Sequence, residues 1–211
     1  MNLTDINEIR ALLTRHGFRF SKSMGQNFLT AAWVPEDIAE SALLDENTGV
    51  LEVGPGIGCL TEQLSKRAGK VLCVELDKSL KPVLAETLSG CGNVELIFDD
   101  VLKQDIPALV REHFGALRPV VCANLPYNVT SPLLTAFIEA LRQLKEPCEV
   151  RLCSDSQYVI NGLEKGWARG WKRRGWKKSD GSPALNPDLW AQALEQEARH
   201  KITYVWVKGH A

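Results

Sequence analysis

Three short apolar stretches end in residues whose types suit the binding of a nucleoside. Residues 50–58 read VLEVGPGIG, a strand pattern that runs into Gly54 and Gly56 ahead of a helical pattern. Glycines there permit a tight turn and close approach of a ligand to the backbone, at the N-terminus of a helix. Glu75 ends the next stretch, where a carboxylate can accept both ribose hydroxyls, and Asp100 follows the third. The alternative is that these residues are ordinary caps at strand ends. Because the glycines, Glu75 and Asp100 occupy corresponding places after three successive strand patterns, the sequence favours nucleoside binding.

A fourth apolar stretch is followed by the tetrapeptide NLPY, residues 124–127. The side chain of Asn124 and neighbouring carbonyls can accept hydrogen bonds from an exocyclic amine, and the ring of Tyr127 can stack on a flipped-out base. Taken alone, the tetrapeptide is also compatible with an ordinary turn. Its place at the same sheet edge as the glycines favours a functional role.

Strand patterns alternate with amphipathic helical patterns along the whole chain. The strand patterns cover residues 50–53, 71–75, 94–98, 120–123, 149–153 and 202–207. Such alternation predicts the α/β class, with a doubly wound, mostly parallel, Rossmann-like sheet. We expect the spatial strand order 3-2-1-4-5-6 with right-handed crossovers.

The composition is that of a globular protein. Of 211 residues, 45% are hydrophobic and 24% charged, with a formal net charge of −1, which excludes collagen-like, coiled-coil and disordered chains. There is no apolar run of ~18 residues to span a membrane and no signal-peptide pattern at the N-terminus. The six cysteines show no CxxC or paired Cys/His spacing, so we expect a reduced, cytoplasmic protein without a metal site.

Residues 1 to about 138 resemble the bacterial rRNA adenine N6,N6-dimethyltransferase family. The motifs that carry the resemblance are GQNFL (25–29), VLEVGPGIG (50–58), VELD (74–77), DDVLK (99–103) and NLPYNVTSPLL (124–134). The resemblance implies that S-adenosylmethionine is the cofactor, bound by Asn27, Leu29, Gly54, Gly56, Glu75, Asp100 and Asn124. It also implies that Asn124, Pro126 and Tyr127 hold the adenine amine during an in-line methyl transfer governed by positioning.

Residues from about 138 to 211 resemble a bacterial ribonuclease H of the first type. The matching motifs include SDSQYVINGL, GWKRRGWKK, NPDLW and VWVKGHA. By this resemblance Asp155 matches one carboxylate of a two-metal site, and His210 matches the histidine that assists catalysis. The hairpin bearing the first catalytic aspartate is absent, Leu133 stands where the helical glutamate belongs, and the sequence ends at Ala211 before the last aspartate. One carboxylate cannot hold two metal ions, so we expect neither productive Mg²⁺ binding nor cleavage of RNA–DNA hybrids.

Residues 165–178, KGWARGWKRRGWKK, are called the basic tract here. The tract has no acidic residue and matches the substrate-binding handle of ribonuclease H. Its candidate nucleic-acid contacts are Lys165, Arg169, Lys172, Arg173, Arg174, Lys177 and Lys178. We expect the rings of Trp167, Trp171 and Trp176 to serve more in the core than in ligand stacking.

The two resemblances meet inside one helical pattern near residues 137–141, which indicates a chimera. We expect a methyltransferase core over 1–138, lacking the family's C-terminal helical domain, and a ribonuclease H-like fragment over 139–211 that completes the same sheet. The function predicted is an S-adenosylmethionine-binding core of the rRNA adenine N6-dimethyltransferase type with little or no activity, since the substrate domain is missing. A second hypothesis is a non-catalytic engineered scaffold, and a third is ribonuclease H activity. RNA is the expected partner, and an exposed edge at 202–207 could pair with another chain.

Overall fold

The computed structural model describes residues 1–18, 31–123, 130–154 and 156–206 of the chain. These residues divide into two compact units, and the division falls between the fourth strand and the helix that follows it. Within these ranges, each helix is too short or too polar to cross a lipid bilayer.

The first unit contains a four-stranded parallel sheet. Its strands are β1 (Thr48–Val53), β2 (Lys70–Glu75), β3 (Val94–Phe98) and β4 (Arg118–Ala123), in the order β3-β2-β1-β4. In the register of the sheet, Val50 of β1 lies opposite Val71 of β2 and Val120 of β4. The chain builds outward from β1 to β3 and then returns to the other side of β1. The carboxyl ends of β1 and β4 therefore flank a topological switch point, where ligands of such sheets bind.

Helices cover both faces of this sheet. They are α1 (Ile6–Arg15), α2 (Trp33–Ser41), α3 (Cys59–Ser65), α4 (Lys81–Thr87) and α5 (Ile106–Phe114), with 3-10 turns at Lys78–Leu80 and Val101–Lys103. Alternate residues of β1 and β2 serve opposite faces. Val50 and Val71 join the core under α1, α3 and α4, whereas Leu51 and Leu72 pack with Phe114 of α5. Burial on both faces explains why the strand sequences are almost continuously apolar.

The second unit contains four helices and two strands. Its elements are α6 (Thr130–Gln143), β5 (Glu149–Ser154), α7 (Gln157–Glu164), α8 (Trp167–Arg173), α9 (Pro187–Glu197) and β6 (Lys201–Trp206). The two strands are parallel, with Val150 opposite Ile202. The core between the strands and the helices is centred on Trp190, whose side chain is completely buried.

The predicted α/β class with parallel strands is confirmed, but the single six-stranded sheet is wrong. In the described part of the chain, β5 pairs with β6 in a separate two-stranded sheet and not with β4. In α6, the buried residues Phe137, Ile138 and Leu141 belong to the core of the second unit. The boundary expected at 138/139 falls inside α6, whereas the structural division precedes this helix.

Candidate nucleoside-binding site and basic tract

The turn that follows β1 is open on the side where a ligand would approach. Gly54 and Gly56 have φ angles of +70° and +60°, which glycine adopts without strain. The N–H of Gly54 donates to the carbonyl of Val74 at 3.0 Å, which ties the turn to β2. Among the described residues, a Cβ atom added to Gly54 would meet nothing within 4 Å, whereas one added to Gly58 would lie 2.9 Å from Cδ2 of Leu88. Gly58 is thus closely packed and has a φ angle of +92°, whereas Gly54 borders space that the described residues leave free.

Glu75 at the end of β2 is fixed against this turn by two backbone hydrogen bonds. Its Oε2 accepts from the N–H of Gly56 at 3.2 Å, and its Oε1 accepts from the N–H of Asp77 at 2.8 Å. Burial raises the pKa of the carboxyl, and these hydrogen bonds oppose the rise. Because each carboxylate oxygen has a further lone pair, the side chain can still accept from two ligand hydroxyls.

Asp100 lies beyond β3 at the same edge of the sheet, because β1, β2 and β3 run parallel. Its Oδ2 is 3.7 Å from Nζ of Lys103. The neighbouring Asp99 is a local cap, since its carboxylate accepts from the N–H of Asp100 and from the side-chain amide of Gln104, both at 2.8 Å. Asp99 is thus occupied locally, and Asp100 remains the candidate ligand-binding acid.

Sequence reasoning missed two residues of this site. Glu52, on β1, is only 1% exposed, and the thiol of Cys73 donates to its Oε2 at 3.5 Å. Leu76 directly follows Glu75 and is 60% exposed, an apolar side chain beside the carboxylate proposed for ribose. The available signals were a carboxylate inside an apolar strand and an apolar residue between two acids in VELD.

Several predicted site residues fall outside the described ranges and stay predictions. They are Asn27, Leu29, Asn124, Pro126, Tyr127, Asp155 and His210. The structure therefore brings together Gly54, Gly56 and Glu75 by contact and places Asp100 at the same edge. Across residues 1–18, 31–123, 130–154 and 156–206, no three His, Cys, Asp or Glu side chains are arranged to hold a metal ion.

The tryptophans of the basic tract are divided between core and surface. Trp171 is 6% exposed, and its ring lies 5.4 Å from that of Trp190 at an angle of 83°. Tyr158 stacks on Trp171 at 5.9 Å. Trp176 is partly buried against the same core, whereas Trp167 is 39% exposed. The core role expected for the rings is confirmed for Trp171 and Trp176.

The cations of the tract differ in their availability to a polyanion. Arg169 donates to the carboxylate of Glu197 at 2.5 Å and to the carbonyl of Leu163 at 3.0 Å, so it stabilises the fold of the second unit. Arg173, Arg174 and Lys178 line an open groove of about 510 Å³ together with the ring of Trp167. Lys165, Lys172 and Lys177 are exposed along the same segment. Asp180 also lines the groove and interacts with Lys178, so Arg173 and Arg174 supply the excess of positive charge beside the exposed aromatic ring. Such a combination suits a nucleic-acid strand.

Comparison with known proteins identifies relatives for both parts of the chain. The family model for ribosomal RNA adenine dimethylase matches residues 17–155, and that for RNase H matches residues 132–211. Ribosomal RNA small subunit methyltransferase A of Ligilactobacillus salivarius is 47% identical over 132 residues, covering 62% of this chain and 45% of the relative. The protein of the same name from Streptococcus pyogenes serotype M5 is 43% identical over 141 residues, covering 66% and 49%. The chain spans about half the length of the curated relatives it matches.

Among solved structures, the crystal structure of the 23S rRNA methyltransferase ErmE is similar to part of the chain. It aligns with a TM-score of 0.42 and 34% identity, over 54% of this chain and 43% of that chain.

Proposed function

Because the chain belongs to the ribosomal RNA adenine dimethylase family, we propose that its first unit binds S-adenosylmethionine at the carboxyl edge of β1, β2 and β3. One observation carries the proposal. The carboxylate of Glu75 is held by the N–H of Gly56 at 3.2 Å, beside the free space that borders Gly54. A ligand lying over the turn would therefore meet a fixed carboxylate at hydrogen-bonding distance.

The residues present fit the adenosine part of this cofactor. The oxygens of Glu75 accept from the two ribose hydroxyls, and Asp100 accepts from the exocyclic amine of the base. The exposed side chain of Leu76 supplies an apolar surface for one face of the base. The free space at Gly54 admits the part of the ligand that follows the ribose.

The cofactor supplies a methyl group bound to a positively charged sulfur, and this sulfur is a good leaving group. The chain itself then has to position the acceptor, which is the main requirement of such a transfer. In the proposal, the side chain of Asn124 and the carbonyl of Pro126 accept from the adenine amine, and the ring of Tyr127 stacks on the base. Because β4 lies beside β1, the segment that follows β4 begins at the edge occupied by the cofactor.

We propose further that the chain joins parts of two families and that methylation of ribosomal RNA is weak or lost. Support comes from the family matches, which overlap at residues 132–155, and from the RNase H match that occupies the rest of the chain. In the methyltransferase family that place belongs to a helical domain that helps to bind rRNA. The described residues of the candidate site, Gly54, Gly56, Glu75 and Asp100, belong to the first unit.

Thermal unfolding with and without S-adenosylmethionine tests cofactor binding. At a ligand concentration ~100 times the dissociation constant, the first unit should gain about 2.7 kcal/mol and unfold at a higher temperature. An unfolding transition that does not move would contradict cofactor binding and favour a non-catalytic scaffold. Transfer of labelled methyl groups to an adenine-containing oligonucleotide, with Asn124→Ala for comparison, separates binding from catalysis.

The groove of the basic tract supports a second role, the binding of single-stranded RNA. Arg173 and Arg174 line the groove beside Trp167, and neither is committed to a carboxylate among the described residues. This role requires binding alone and does not include ribonuclease H cleavage.

Replacing both Arg173 and Arg174 by glutamine should weaken RNA binding and its dependence on salt. Each lost phosphate contact lowers the slope of log affinity against log salt by about 0.7 for a single strand, so a decrease of about 1.4 is expected. Filter binding or fluorescence anisotropy at several salt concentrations measures the slope. The control is Arg10→Gln with Lys66→Gln, two exposed cations of the first unit. Equal slopes for the two double variants would exclude the tract as the binding surface.

A further inference from the structure

A buried carboxyl group that no step above uses lies directly before the glycine turn. Glu52 precedes Gly54 by two residues, and its side chain is withdrawn from solvent. We propose that Glu52 makes this site selective for the positively charged cofactor over its uncharged-sulfur product, by releasing a proton when the cofactor binds. This inference rests on the proposed function and assigns a residue that determines specificity at the same site.

Among the residues that the structure describes, the surroundings of Glu52 form a cluster without a compensating positive charge. The thiol of Cys73 on β2 lies 3.5 Å from Oε2. Thr61 on α3 is also a neighbour, and its buried hydroxyl has no hydrogen-bond partner among the described residues. Glu75 adds a second negative charge nearby. The remaining titratable neighbours are the buried thiols of Cys59 on α3 and of Cys122, the register partner of Glu52 on β4. All of these neighbours are neutral or anionic.

The ionisation of Glu52 is therefore poised close to neutral pH. Burial raises its pKa from 4.5 to about 7, the charge of Glu75 adds to the rise, and Thr61 and Cys73 oppose it. The thiol of Cys59 has its pKa raised to about 12 by burial, with the charge of Glu52 contributing, and the pKa of Cys73 is raised even further. The thiols thus stay protonated near pH 7, and Glu52 is the member of the cluster that titrates there.

A positive charge placed over the turn would stabilise the ionised form of Glu52 through a poorly screened medium. The proton then leaves to solvent, and the carboxylate and the sulfonium attract one another. After methyl transfer the sulfur is neutral, so this attraction is lost, and the carboxyl can take up a proton again. The preference for cofactor over product should consequently be weak when Glu52 is protonated and strong when it is ionised.

Isothermal titration calorimetry in buffers of different ionisation enthalpy counts the protons released. At pH 7, about half of the empty sites carry the proton, because the pH then equals the pKa. The wild-type chain should release about half a proton per S-adenosylmethionine bound. S-adenosylhomocysteine should release less. The measurement needs no variant and so does not depend on a substitution that might disturb folding.

The ratio of the two dissociation constants gives an independent readout. The affinity for the cofactor relative to the product should rise by up to about tenfold from pH 6 to pH 8, following the ionised fraction of Glu52. Both ligands carry the same α-amino group, so its titration largely cancels in the ratio. In Glu52→Gln, which resembles the protonated side chain, the ratio should be low and nearly independent of pH. The control Glu46→Gln, which removes an exposed carboxylate of the same unit, should behave as the wild type.

The stability of the empty protein provides a check on Glu52 itself. A carboxyl whose pKa is raised on folding makes the free energy of unfolding fall as pH increases from 4.5 to about 7. The difference in stability between Glu52→Gln and the wild type should therefore grow over this range in favour of the variant.

The outcomes separate this inference from the function on which it rests. If S-adenosylmethionine does not bind at any pH, the proposed function is wrong. If it binds with no proton release and with a ratio that is independent of pH in the wild type, cofactor binding stands and the role of Glu52 is overturned. Proton release that persists in Glu52→Gln also contradicts it, because another group then titrates.

Discussion

Replacing Glu75 by glutamine should weaken binding of S-adenosylmethionine about 12- to 150-fold. The substitution removes the charge and one of the two acceptors offered to the ribose, and hydrogen bonds to charged groups contribute about 1.5–3 kcal/mol each. The substitution should also disturb the glycine turn that follows β1. Both oxygens of Glu75 accept from backbone N–H groups, those of Gly56 and Asp77, so either orientation of an amide would point its NH₂ group at a donor.

Calorimetry or equilibrium dialysis measures this loss, and a pH above neutral is used because burial raises the pKa of the Glu75 carboxyl. The matched control is Glu46→Gln, which removes an exposed carboxylate from the same unit before β1. Thermal unfolding without ligand distinguishes a damaged site from a damaged fold. A Glu75→Gln chain that folds normally and binds the cofactor within threefold of the wild type would contradict the assignment of Glu75 to the ribose.

Replacing Trp190 by alanine should destabilise the second unit by about 3–5 kcal/mol, because the substitution removes a large, completely buried ring and leaves a cavity. For a unit of this size the unfolding temperature changes by about 4–8 °C per kcal/mol, so a decrease of at least about 12 °C is expected. The rings of Tyr158 and Trp171, which pack on Trp190 at 5.8 Å and 5.4 Å, lose their partner. Hydrogen exchange should show the amides of α7, α8 and β6 opening first.

Two variants sharpen this test. Trp190→Phe keeps an aromatic ring and removes an indole N–H that has no hydrogen-bond partner among the described residues, so it should cost far less than alanine. Trp167→Ala removes an exposed ring and should leave stability almost unchanged. Because Trp190 belongs to a core separate from those of the first unit, cofactor binding should survive in Trp190→Ala. Parallel loss of both would instead indicate that the two units unfold cooperatively.

The sequence predicted the strands well because their signal is local. A buried parallel strand reads as a short apolar run, and the run at 94–98 coincides with β3, while that at 71–75 is one residue shorter than β2. Gly54, Gly56, Glu75 and Asp100 were found for the same reason, since each lies where an apolar run ends. The site could be located from the order of residue types along the chain.

The partner of α6 could not be predicted in this way. The apolar spacing of the helix serves a core on either side of it equally well, and the choice depends on competition between residues distant in the chain. Packing with Trp190, about fifty residues later, decides that competition. Glu52 was missed because a carboxylate inside VLEV has no local mark of burial or altered ionisation. The raised pKa of Glu52 follows from burial and from neighbours on β2 and α3 that only the folded chain brings together.

The division of the chain before α6 bears on how the protein is made. Among the described residues, the cores of the first unit draw on none beyond Cys122, so the segments that build them are synthesised before α6. The first unit can therefore begin to fold on the ribosome while the following residues are still being made. β4, with Val121 53% exposed, is a terminal strand of its sheet, so we expect neighbouring nascent chains to associate through this strand edge when ribosomes are closely spaced on the message.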